Sequence, residues 1–352
     1  MDEKPLSTYS REVWTTRDGL PHNLVNGIAQ TPDGYLWFAT WEGVVRYNGQ
    51  EFRVFGRQNV PELEDNGIRS VSVGRTGSLI LGTSRGGVTV KRGEKWQTFT
   101  RKQGLSQDEI MAAIEDRTGR IWVATESAGI NRISNGQVRV FGRNDGIPEG
   151  PVYSLTEDGN GAIWASTRQG LARIEGDKVQ MFTRAQGLPP DAAFAVQISP
   201  KGGLYVGTEH GVYFGENGRF RKLASNFPDE AIPSLQIDGN GALWIGTSTG
   251  LARRQDGKMQ VFRRDDGLPR EFIMALHEAR DGKLWIGTAN GLAYFQDGKV
   301  TSVDVSQLDD AQDVFGLHED ADGTLWFATD RGLLRRKAGK MAILGVTSGL
   351  PV

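Results

Sequence analysis

Apolar residues fall into short alternating runs along the whole chain, and the runs recur with a period near forty. The segment Tyr35-Leu36-Trp37-Phe38-Ala39-Thr40 returns as 120–125, 162–167, 242–247, 283–288 and 324–329, with degenerate copies at 78–83 and 203–208. Its third residue anchors each copy: Trp37, Ile80, Trp122, Trp164, Tyr205, Trp244, Trp285 and Trp326, spaced 39 to 43 residues apart. A glycine stands three residues before every anchor, usually after Asp or Asn, as in Asp33-Gly34, Asn160-Gly161 and Asp281-Gly282. Such pairs between alternating runs mark tight hairpins, because a type I′ turn requires positive φ. A second pair follows in most copies, for example Asn48-Gly49, Asn135-Gly136 and Asp297-Gly298. Each unit therefore predicts an antiparallel meander of four strands: a (Val25 to Gln30), b (Tyr35 to Thr40), c (Val44 to Tyr47) and d (Phe52 to Phe55).

Ten residues before each anchor the side chain is always small: Gly27, Ser70, Ala112, Ser154, Ala195, Ser234, Ala275 and Gly316. Small residues on strand a with large anchors on strand b describe a sheet that narrows toward an axis. Radial repetition of four-stranded sheets is a β-propeller. The expectation is an all-β propeller of eight four-stranded antiparallel blades filling 1–352 as one domain, with seven blades as the alternative. Both ends carry a strand-d pattern, Val13 to Pro21 and Ile343 to Pro351, which makes nine candidates for eight outer strands. One arrangement places Glu12 to Thr16 beside the last blade and displaces the final strand.

Composition narrows the function. Lys and Arg total 41 against 43 Asp and Glu, a net charge of -2. That balance argues against a nucleic-acid partner, which leaves a basic stripe as its footprint. No run of eighteen apolar residues is present and the first residues lack the apolar core of a signal peptide, so no direct membrane insertion is expected. Zero Cys removes disulfides and thiolate chemistry, and no cofactor motif is found.

Loops b–c and d–a of a propeller gather on one face around the channel mouth. Between an invariant Thr and a following Gly the b–c tips vary freely, which is how binding surfaces are made on a fixed scaffold. Trp41, Arg85, Glu126, Arg168 and His210 are the most distinctive tip residues, from five consecutive repeats. They are the candidate ligand-binding set, with Trp41 as a stacking face and the charged tips fixing orientation. Trp41 packed on a neighbouring loop, and solvated charges at the others, are the plain structural readings. His277 and His318 share a repeat position in successive units, an alignment that repetition explains without a metal. Asp265-Asp266 and Asp309-Asp310 sit in expected turns, where Asp bonds its own backbone. Asp320-Ala321-Asp322-Gly323 is half of a calcium loop and lacks the closing Glu. No catalytic residue is assigned and no metal site.

The motifs Leu36-Trp37-Phe38-Ala39-Thr40, Leu243 to Leu251 (LWIGTSTGL) and Asp266-Gly267-Leu268-Pro269 closely resemble the two-component regulator propeller family. The resemblance runs from about Trp14 to Pro351, with Ile80 and Tyr205 as departures at the anchor. It implies the periplasmic sensor domain of a membrane-anchored histidine kinase or diguanylate cyclase, with a small-molecule or oligosaccharide ligand. The implied C-terminal output domains are absent from this chain. A homodimer is compatible with that role. The family motif is structural and marks no binding residue. Two other readings stay open, a protein-interaction scaffold and a propeller lyase or hydrolase.

Overall fold

In the computed structural model the described residues are 21–22, 24–223, 230–303, 313–330, 332–337 and 339–345. They form eight antiparallel sheets of four strands, each built from one contiguous stretch of chain in the order a-b-c-d. The a strands are Val25–Gln30, Ile68–Val73, Ile110–Glu115, Val152–Glu157, Ala193–Ile198, Ser234–Ile237, Ile273–Glu278 and Val314–Glu319. Each packs on the next, and the eighth packs on the first, so they form a closed inner ring of eight blades. The turns follow the expected chemistry: Asn135 and Gly136 take φ values of 50° and 77°.

The core is divided into eight apolar clusters, each spanning two adjacent blades. All six anchor tryptophans are buried in them, as is Ile80. The small position on strand a is crowded, since a Cβ at Gly27 would lie 3.1 Å from Val71 Cγ1 of the next blade. A second crowded position is the glycine two residues after the anchor. At Gly82 and Gly246 a Cβ would stand 2.7 and 2.8 Å from the Cγ2 atoms of Ile110 and Ile273, which open the next inner strands.

The ring closes differently from the arrangement that used Glu12 to Thr16. The outer strand of the last blade is Lys340–Gly345, paired in register with Gly332–Lys337. The first residues of the C-terminal candidate, Ile343 to Gly345, are therefore in the sheet and not displaced, and its remainder lies outside the described residues. Glu12 to Thr16 lies outside the described residues. Blades eight and one pack through aromatic side chains, with the Trp326 ring 5.6 Å from Phe38 and 5.7 Å from Tyr47.

Candidate functional site at the mouth of the channel

The loop face is assembled by a repeated pair of hydrogen bonds. In all eight blades the Thr closing strand b donates its hydroxyl to the carbonyl of the Gly that opens or precedes strand c, at 2.8–2.9 Å. The first tip residue then donates its N–H to the d–a connection seventeen residues earlier. Ser84 reaches Gly67 at 2.8 Å, Glu126 reaches Glu109 at 3.0 Å and Arg168 reaches Pro151 at 3.3 Å. Glu209 to Ala192 and Ala289 to Phe272 repeat the contact. The b–c and d–a loops thus share one face, as expected from the repeat.

The five tip residues all lie there and all are exposed, yet they do not converge. Trp41 is 37% exposed, with the other part of its ring over Gly67 in the connection to blade two. Glu126 forms an ion pair with Arg69 of the preceding blade at 2.7 Å. Arg85 donates its backbone N–H to Asp65 at 2.8 Å. His210 Nδ1 lies 2.6 Å from Asp191 of its own blade. Among the described residues no hydrogen bond or ion pair joins any two of the five.

A second set was not found from the sequence. In seven of the eight blades the a–b ladder slips between the first and third residues of strand a, as between Val25 and Gly27 or Ile273 and Ala275. Such a bulge inserts an unpaired residue and re-aims its side chain. The second residues of the seven bulged inner strands are Asn26, Arg69, Met111, Tyr153, Phe194, Met274 and Phe315, and Pro233, just before Ser234–Ile237, holds the equivalent sequence position in blade six. Two pairs of counterparts in successive blades touch. Arg69 Nη1 is 3.7 Å from Met111 Sδ, and the Tyr153 and Phe194 rings lie 5.5 Å apart at 63°. Asn26 donates to the Ile68 carbonyl at 2.8 Å. Six consecutive blades, from Met111 to Phe315, present an apolar side chain at this rim. Among the described residues the exposed large hydrophobics are Trp41, Phe272 (43%) and Phe315 (37%), all on this face in blades one, seven and eight.

The titratable groups singled out by their surroundings belong mainly to the opposite face, where the a–b turns lie. Burial opposes ionisation of Asp116, but hydrogen bonds from Trp122, Thr118 and Arg120 outweigh it and bring its pKa to about 2. Burial holds His277 below its ordinary value and brings His318 to about 4, aided there by the His277 and Arg280 charges. Asp320 accepts from the Trp326 indole and Thr324, and Asp322 pairs with Lys337, so the half calcium loop serves as a brace for its turn. Asp266 accepts from the N–H of Arg263, the expected use of a turn aspartate. Asp309-Asp310 lies outside the described residues.

Comparison with known proteins bears on this geometry. A family model described as two component regulator propeller matches residues 19–42, 104–127, 146–169, 226–249, 267–290 and 309–331. No curated protein matches the sequence. One similar solved structure is an extracellular domain described as that of hybrid two-component system BT3049 from B. thetaiotaomicron, with TM-score 0.59 and 18% identity. The match covers 97% of this chain and 55% of that one, so this chain spans about half its length. Virginiamycin B lyase from Staphylococcus aureus aligns with TM-score 0.58 and 17% identity over 74% of this chain and 90% of the lyase. The computationally designed Ika8 protein aligns with TM-score 0.67 and 13% identity, covering 88% and 95%. At these identities the likeness is one of fold.

Proposed function

Because the chain belongs to the two-component regulator propeller family, we propose that it is the ligand-binding, periplasmic part of a membrane-anchored signalling protein and not an enzyme. A small molecule or glycan binds at the loop face, and C-terminal output domains carry the signal onward. The observation that supports this reading is the rim of re-aimed side chains around the channel, with the exposed Trp41, Phe272 and Phe315 on the same face. Exposed aromatic rings flanked by a few polar groups describe a binding mouth. Arg69 with Glu126 and Asn26 supply the polar groups on the blade one to three side. The non-catalytic reading is supported by how the most displaced titratable groups are used. Asp116 and Asp322 brace turns, and His277 and His318 lie on inner strands with their Nε2 atoms buried.

A thermal-shift screen against glycans and metabolites tests this directly. A ligand at a hundred times its dissociation constant adds about 2.7 kcal/mol. For the ligand so found, Trp41→Ala and Phe315→Ala should each weaken binding at least about tenfold, or 1.4 kcal/mol, with little change in melting temperature. Undiminished affinity in both variants would remove the ligand from this face.

A further inference from the structure

The fifth blade carries a group of side chains of which only His210 belongs to the tip set named from the sequence. Asp191 lies in the segment leading into the inner strand Ala193–Ile198, and Glu209 and His210 form the b–c tip of the same blade. One donor atom from each lies within 4.8 Å of the other two. Other blades brace the same two loops with hydroxyl or amide partners: Ser84 on Asp65, Ser127 on Gln107, Thr249 on Glu230. Blade five alone among the described residues brings an imidazole and two carboxylates together there. Neither Asp191 nor Glu209 pairs with a Lys or Arg among the described residues, so two negative groups converge with only His210 between them. Like charges this close repel, and a divalent cation relieves the repulsion.

We propose that Asp191, Glu209 and His210 bind a divalent first-row transition-metal ion of the zinc class. Imidazole nitrogen selects this class, whereas calcium and magnesium sites are built from oxygen donors. Bonds of about 2.0–2.2 Å place neighbouring donors on one ion about 3–3.5 Å apart. That arrangement needs only rotation of the exposed Glu209 and a slight opening of the 2.6 Å Asp191–His210 contact. A neutral imidazole in its Nε2–H tautomer offers the Nδ1 lone pair to the ion, and the Asp191 carboxylate turns from the ring to the same ion. Three protein donors leave a coordination position open. An oxygen atom of the ligand proposed at the mouth fits that position, and this last step alone rests on the ligand reading.

The test is isothermal titration of the tag-free protein with zinc chloride, with no other ligand present. One site with a dissociation constant of about 1–10 µM is expected, a binding free energy of about −7 to −8 kcal/mol. His210→Ala, Asp191→Asn and Glu209→Gln should each weaken it at least about tenfold. The variants should keep the parent melting temperature, because all three side chains sit at exposed loops, and His22→Ala should bind zinc as the parent does. Absence of zinc binding, binding unchanged in His210→Ala, or displacement of zinc by equimolar magnesium or calcium would each overturn the proposal. None of these outcomes depends on the organic ligand, so the site and the sensor reading fail separately.

Discussion

The anchor tryptophans share one burial and differ in where the indole N–H goes. Trp122, Trp164, Trp244 and Trp326 donate to an Asp six residues earlier at 2.7–2.8 Å, and Trp37 donates to Thr31 at 3.0 Å. At Trp285 the same position is Ala279, and the indole nitrogen is buried without a partner. Ala279→Asp should supply the missing acceptor and stabilise the protein by about 1 kcal/mol. It should do so as a higher urea midpoint with an unchanged m-value. The gain should vanish in a Trp285→Phe background, because the coupling belongs to that pair. Trp244→Ala should cost about 3–5 kcal/mol by leaving a cavity between blades six and seven. His318 carries a pH prediction. Its folded pKa, about 4, lies below the ordinary value of 6.5, so the unfolded chain binds the extra proton first. Its contribution to stability is complete above pH 6.5 and is lost as pH falls toward 4. His318→Gln should flatten that limb of a melting temperature against pH series.

Strand a shows what a repeat column reveals and what it hides. The small third residue was legible, since it is small in every copy, and Ala275→Leu should cost about 1–3 kcal/mol by overpacking, read from chemical unfolding. The bulge beside it was also written in the sequence, in a form that is easy to pass over. The first and fourth residues of the seven bulged inner strands are apolar and enter the same inter-blade cluster, as Ile68 and Val71 do, or Ile273 and Leu276. A spacing of three cannot keep two side chains on one face of a regular strand, whose period is two. The odd interval therefore announces an inserted residue, and the inserted residue is the one that reaches the rim. The loop tips were legible as a face because Thr and Gly bracket them. Their partners were not, because Arg69 for Glu126 and Asp191 for His210 come from distant repeat columns.

Across the molecule, one further carboxylate column holds blades together. Glu157, Glu278 and Glu319, each last in its inner strand, accept the N–H of Arg117, Gly239 and Arg280 in the preceding a–b turn, at 2.7–3.0 Å. Gln30 does the same for Ala321 across the junction of blades eight and one. Glu319→Ala should lower the unfolding midpoint by roughly 1–2 kcal/mol in free energy, and Gln30→Ala by a comparable amount. The terminal strands were ambiguous in the sequence because both ends read alike. The structure resolves the last blade with Lys340–Gly345, so each blade is one unbroken run of chain. Among the described residues no strand crosses from one end of the polypeptide to the other. The order in which the blades are written along the gene is then a matter of indifference to the ring. A circular permutant opened in the exposed connection around Gly146, its native ends joined by a flexible linker, should fold to the same structure, since such loops tolerate new termini.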